Sequence, residues 1–218
     1  MIYDIVTFDC YGTLIDWEKG FVRALLAAGI GDPLDRARIV ELYHEVEPEI
    51  ESDYRSYREV LSEVARRVGA GLRVDVSDEQ AGSLPDSLPS WPPFVDTNRA
   101  LERLASAGIR LGILSNVDDD LIAETRRHFT VDFDLVVTAQ QMKSYKPGHA
   151  HFLEARRRLG DGARWLHAAQ SHFHDVVPCR ELGIPVAWIN RKNDRPGTDV
   201  IPDRELRNLD ELADWLTR

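Results

Sequence analysis

Five stretches of the chain are apolar and β-branched with almost no charge: Ile2 to Phe8, then RLGILS (110–115), LVVTA (135–139), WLHAA (165–169) and PVAWIN (185–190). Runs that are apolar at successive positions predict strands buried on both faces, as in a parallel sheet. Between them lie amphipathic stretches, NRALERLASA (98–107), Asp119 to His128 and Ala150 to Leu159, where apolar residues return every three or four positions among charges. That spacing predicts helices. Strands alternating with helices imply βαβ units and an α/β fold.

Residues 17–93 break the alternation, because no strand pattern occurs there. FVRALLAAGI, ARIVELYHEVEPEIES and YREVLSEVARRV are helical in pattern, and GIGDP and SLPDSLPSWPPF punctuate them. The pattern predicts a helical insertion at 17–93, between a core segment at 1–16 and the rest of the core at 94–218. RKNDRPGTDVIPD (191–203) reads as a loop and LRNLDELADWL (206–216) as a closing helix.

Composition narrows the classes. At 218 residues the chain is long enough for one full core carrying a sizeable insertion. The net charge of −10, with Lys and Arg scattered, argues against a nucleic-acid partner. The N-terminal run is short, has no basic leader and contains Asp4 and Asp9, so neither a signal peptide nor a membrane span is expected and a cytoplasmic location is. The two cysteines, Cys10 and Cys179, match no metal spacing and read as small buried hydrophobes.

The chemistry falls at strand ends. In TFDCYGTLID, Asp9 follows an apolar run and Gly12 supplies a tight turn, which puts a carboxylate at the carboxyl end of the first strand. In open α/β sheets ligands bind along that edge. Ser115-Asn116 ends the second run, Lys146-Pro147 follows the third, and Gln170-Ser171-His172-Phe173-His174-Asp175 follows the fourth. Taken singly, Thr13, Ser115, Asn116 and Asp175 are ordinary caps and turn formers and Lys146 an ordinary surface charge. Parallel strands end on one edge, however, so these residues are expected to converge on Asp9.

FDCYGTL, LGILSN, SYKP and AQSHFHD, in that order, resemble the four motifs of the haloacid dehalogenase (HAD) superfamily, and within it the type II L-2-haloacid dehalogenases. The resemblance spans essentially the whole chain and implies a Rossmann-like parallel-sheet core with an all-helical cap inserted after the first strand. It implies that Asp9 is the nucleophile, that Lys146 keeps it ionised, and that Thr13, Ser115 and Asn116 bind the substrate carboxylate or hold Asp9. Asp175 then orients Lys146 or activates water. Tyr11, Ser171 and His172 complete the expected substrate-facing set, with Tyr11 an aromatic roof.

The resemblance further implies hydrolysis of a small 2-haloalkanoic acid through a covalent aspartyl ester, with no metal or other cofactor. Members of the family often form homodimers through helical surfaces. The phosphatases of this superfamily carry DxD, whereas this chain has Asp9-Cys10-Tyr11, and the two positions that would offer Mg²⁺ a pair of acids are Gln170 and Asp175. A Mg²⁺-dependent phosphatase is therefore the weaker alternative. Another carbon–heteroatom hydrolysis, as in azetidine-carboxylate hydrolases, is a second. It stays open because no motif fixes the cap arginine that receives halide; Arg36, Arg38, Arg55 and Arg58 are the candidates. A third alternative is a catalytically silent interaction module, against which Asp9 and Lys146 both stand. His167, His172, His174 and Cys179 fit no standard zinc spacing.

Overall fold

The computed structural model describes residues 3–218, and Ile2, at the start of the first predicted strand, lies outside that range. The chain divides into two compact units. The first takes in the residues up to Ile15, Pro93–Asn116 and Arg127–Arg218, and the second Asp16–Pro92 with Val117–Arg126.

The first unit is built on a six-stranded sheet of β1 (Ile5–Phe8), β2 (Arg110–Ser115), β3 (Leu135–Thr138), β4 (Trp165–Ala169), β5 (Val186–Ile189) and β6 (Arg204–Leu206), ordered β3-β2-β1-β4-β5-β6. Every neighbouring pair is parallel. All four residues of β1 and all five of β4 are buried, as their uninterrupted apolar character requires. Ile5, Leu114, Val137, Phe152, Trp165 and Val186 form part of one core cluster that joins the strands to the helix Ala150–Leu159. The chain winds from β1 to β2 and β3 on one side, then returns to lay down β4, β5 and β6 on the other. That reversal places a crevice at the carboxyl end of β1.

The five predicted strands are present, four of them within a residue at their ends, while β1 starts only at Ile5. β6 is an addition: Arg204-Glu205-Leu206 is an exposed, charged edge strand with no apolar run to announce it. The closing helix correspondingly starts later, at Leu209, where the Asn208 side chain caps it.

The second unit is helical throughout its regular structure: Trp17–Ala27, Arg36–Ile50, Tyr57–Gly71, Asp78–Ser87 and Asp119–Thr125, with short 3₁₀ turns. Asp78–Ser87 lies partly in the stretch read as punctuation. A capping box between Ser77 and Gln80 starts it, and Ala81, Leu84 and Pro85 bury its inner face. The segment 117–126 was expected in the core and belongs to the helical unit instead. Asp118 explains this: its carboxylate accepts from the backbone N–H groups of Tyr57 and Arg58, both at 3.0 Å, so it caps the helix Tyr57–Gly71 from sixty residues away. Among the described residues no helix is long and apolar enough to cross a membrane.

Candidate active site

Asp9 is the first residue past β1, and its N–H still bonds the Ala168 carbonyl at 3.2 Å, so the ladder to β4 fixes its backbone. Gly12 then takes φ +106°, a conformation that side chains other than glycine's rarely allow. The turn it makes brings the Leu14 and Ile15 N–H groups onto the Cys10 carbonyl. Thr13 is thereby turned back on Asp9: its hydroxyl donates to Asp9 Oδ2 at 3.0 Å and accepts from the Gln170 N–H at 2.8 Å.

Lys146 approaches from the end of β3. Its three ammonium hydrogens meet three acceptors: Asp9 Oδ1 at 3.0 Å, Asp175 Oδ1 at 2.6 Å and the Leu114 carbonyl at 2.9 Å. The side chains of Lys146 and Asp175 are each only 1% exposed. Asn116, past the end of β2, holds this lysine by its backbone, accepting from Lys146 N–H at 2.7 Å and donating to Lys146 C=O at 3.0 Å. Strands β1, β2 and β4 and the segment after β3 thus deliver one cation between two carboxylates.

Burial disfavours the Lys146 ammonium, but the charges of Asp175 and Asp9 more than offset this and hold it above the ordinary lysine range. Asp175 resolves in the opposite way from Asp9. Burial raises the Asp175 carboxyl, yet the Lys146 charge and hydrogen bonds from His167 and Lys146 carry it well below the usual carboxylate range. For Asp9 burial dominates: Lys146 and Thr13 favour its anion, Asp175 opposes it, and the carboxyl ends above its ordinary value. Burial likewise pushes the Cys10 thiol up, with the Asp9 charge adding to it, so Cys10 is a buried thiol and not a thiolate.

The remaining predicted residues divide. The Ser115 hydroxyl is buried with no hydrogen-bond partner among the described residues, while its carbonyl accepts from His151 Nε2 at 3.3 Å. Tyr11 is half-buried in the turn, its backbone bridged to Ile15. His172 and Ser171 both have partners within the protein. His172 donates from Nε2 to the Val200 carbonyl at 2.9 Å and stands edge-on to Trp188 at 5.1 Å, so its ring fastens the 191–203 loop. Ser171 caps the turn His172–Val176, its hydroxyl accepting from His174 N–H and meeting His174 Nδ1, both at 3.0 Å. Asn116, too, holds the Lys146 backbone with both ends of its amide, which makes it a positioning residue.

A family model for haloacid dehalogenase-like hydrolases matches residues 3–168. The chain belongs to that family. An (S)-2-haloacid dehalogenase of Pseudomonas putida is 29% identical to this HAD-like hydrolase over 217 residues, covering 97% of this chain and 95% of its own. One from Pseudomonas fluorescens is 28% identical over 214 residues, covering 96% and 94%. Among solved structures, the L-2-haloacid dehalogenase of Xanthobacter autotrophicus with chloropropionic acid covalently bound superposes with a TM-score of 0.86 over 98% of each chain, at 19% identity, which shows a shared fold.

Mg²⁺, which the phosphatase alternative requires, does not fit this hydrolase's donor set. The ion takes about six oxygen ligands in near-octahedral geometry. Here the facing oxygens of Asp9 and Asp175 are bridged by an ammonium, and Gln170 stands where a further carboxylate would be needed. Among the described residues no group of three or more His, Cys, Asp or Glu is arranged to hold a metal.

Four residues around the site carried no motif. His151, fully buried, has its pKa lowered to about 3 by burial and by the Lys146 charge. Arg191, after β5, donates to the Thr13 carbonyl at 2.8 Å and pairs with the buried Asp96 at 3.1 Å, bracing the nucleophile turn from behind. Thr7 and His167 lie side by side in the β1–β4 ladder and bond through their side chains at 2.8 Å. Their only trace in the sequence is a polar residue interrupting each of two otherwise apolar strands.

Proposed function

We propose that this hydrolase removes halide from small 2-haloalkanoic acids by a two-step, metal-independent route through Asp9. The observation that carries the reading is the Lys146 ammonium lying between Asp9 and Asp175 while Thr13 holds the second Asp9 oxygen. The nearly full-length likeness to (S)-2-haloacid dehalogenases supplies the substrate class.

In the first step an Asp9 carboxylate oxygen attacks the carbon bearing the halogen, a carbon–oxygen bond forms, and halide leaves with the carbon–halogen electron pair. Holding the carboxylate against that carbon provides effective molarities of roughly 10⁵ to 10⁸ M, which makes a weak nucleophile effective. In the second step water adds to the Asp9 ester carbonyl, the 2-hydroxy acid departs, and one oxygen of water remains in the Asp9 carboxylate. Asp175 accepts or steers the proton of that water. The Ser115 hydroxyl, buried and without a hydrogen-bond partner among the described residues, is suited to the substrate carboxylate.

A second reading, hydrolysis of another activated carbon–heteroatom bond, is favoured by one observation. Two of the candidate halide arginines are already engaged: Arg38 pairs with Glu41 and Glu45, and Arg58 with Asp86 and Asp120. The test is halide release from L-2-chloropropionate and fluoroacetate in EDTA, comparing wild type with Asp9→Asn. The expected result is halide from the wild type alone, undiminished by chelation. No halide from either protein would sink the dehalogenase reading and bring the second forward.

A further inference from the structure

A hydrogen-bonded chain runs behind the site along one face of β4 and across to β1. The Trp165 indole N–H points at Thr7 Oγ1 at 2.7 Å, Thr7 Oγ1 meets His167 Nδ1 at 2.8 Å, and His167 Nε2 meets Asp175 Oδ1 at 3.0 Å. Trp165 and His167 are two residues apart on β4 and so share a face, and the sheet register sets Thr7 directly beside His167. Thr7 and His167 are fully buried, and Phe152 closes the imidazole edge-on at 5.4 Å.

For a neutral imidazole only one direction satisfies every link of the chain. An indole nitrogen only donates, so Thr7 Oγ1 accepts there and has one hydrogen left to give. The Asp175 carboxylate only accepts, so a neutral His167 carries its proton on Nε2 and leaves Nδ1 bare to take that hydrogen. The imidazole proton is left on Nε2, aimed at Asp175.

Resting on the dehalogenase reading, we propose that His167 is a positioning residue for the Asp9 reaction: Trp165 and Thr7 lock it as the Nε2–H tautomer, and its N–H holds Asp175 Oδ1 where Lys146 bridges to Asp9. The lock also decides which carboxylate oxygen is engaged. Oδ1 takes both donors, while Oδ2 has no hydrogen-bond partner among the described residues. A bare Nε2 facing Asp175 would place two acceptors against each other and push the carboxylate away from the lysine.

Two measurements on the intact protein test this, one of them independent of substrate. The ¹⁵N shifts of the neutral His167 imidazole, read at pH 8, are expected to report a proton on Nε2 and none on Nδ1; the neutral ring carrying its proton on Nδ1 would overturn the proposal. Variants supply the second. His167→Leu removes the donor, and His167→Gln keeps an N–H near the Nε2 position. In His167→Leu, kcat for halide release should fall roughly 10- to 100-fold, the size of one hydrogen bond to a charged group, with KM within about twofold. The ¹³C titration of the Asp175 carboxyl should move to higher pH. His167→Gln should restore both. Wild-type kcat and an unmoved Asp175 titration in His167→Leu would refute the positioning role. If the wild type releases no halide, the dehalogenase reading fails, and the imidazole shifts and the Asp175 titration still decide this one.

Discussion

Lys146 and Arg58 each face two carboxylates at hydrogen-bond distance, Lys146 in the core unit with Asp9 and Asp175, Arg58 in the helical unit with Asp86 and Asp120. The ratio of charges is the same and the surroundings are not. The Lys146 side chain is 1% exposed, whereas that of Arg58 is 42% exposed and its partners are 74% and 59% exposed. In water the attraction between such charges is screened and the ordering of long side chains opposes it. Inside the protein each charge has lost its hydration, and the partners are what keep it there. Arg58 therefore trims a surface, while Lys146 determines whether two buried carboxylates can coexist.

The largest expected difference comes from deleting the two cations in turn. Lys146→Met leaves Asp9 and Asp175 facing one another with no counter-charge. It should abolish halide release and lower unfolding free energy by roughly 3–5 kcal/mol, the range for breaking a buried pair from one side. Urea denaturation read by circular dichroism measures it. A Lys146→Met protein as stable as the wild type would end the distinction drawn here.

The next effect is one of pH. His151 titrates near 3 in the folded protein against an ordinary value of 6.5. Between those values the unfolded chain holds a proton that the native chain excludes, so this contribution to stability is present above pH 6.5 and is lost as pH falls toward 3. The urea midpoint of the wild type should fall more steeply over that window than that of His151→Gln. Parallel curves would mean that the imidazole is not held neutral by its burial. Asp175, held low, adds a loss of the same sign below the ordinary aspartate range.

The smallest effect is expected on the other side of the comparison. Arg58→Ala should change unfolding free energy by less than about 1 kcal/mol, a change that shrinks further in high salt. A loss near that of Lys146→Met would show the surface cluster to be a cooperative network.

The sequence made the architecture legible wherever burial on both faces left an uninterrupted apolar run, as in β1 and β4, and it made Asp9, Thr13, Lys146 and Asp175 legible because they stand where such runs stop. It hid β6, whose exposed edge needs no apolar run, and Asp78–Ser87, whose Pro85 reads as a break. It hid the backbone contacts of Asn116 and His172 for a different reason. An amide or an imidazole at a strand end has the same chemistry whether it faces substrate or a backbone carbonyl, and only three-dimensional placement decides. The Trp165–Thr7–His167 chain was hidden most completely, since its direction emerges only once β1 and β4 are set in register.

The short strand β6 bears on the behaviour of the molecule among its own copies. A mostly apolar parallel sheet ends there in three residues, two of them charged and exposed. Such a rim offers an incoming strand few amides to pair with and a charged border to cross. At that rim the sheet is thus a poor template for the sheet of a neighbour.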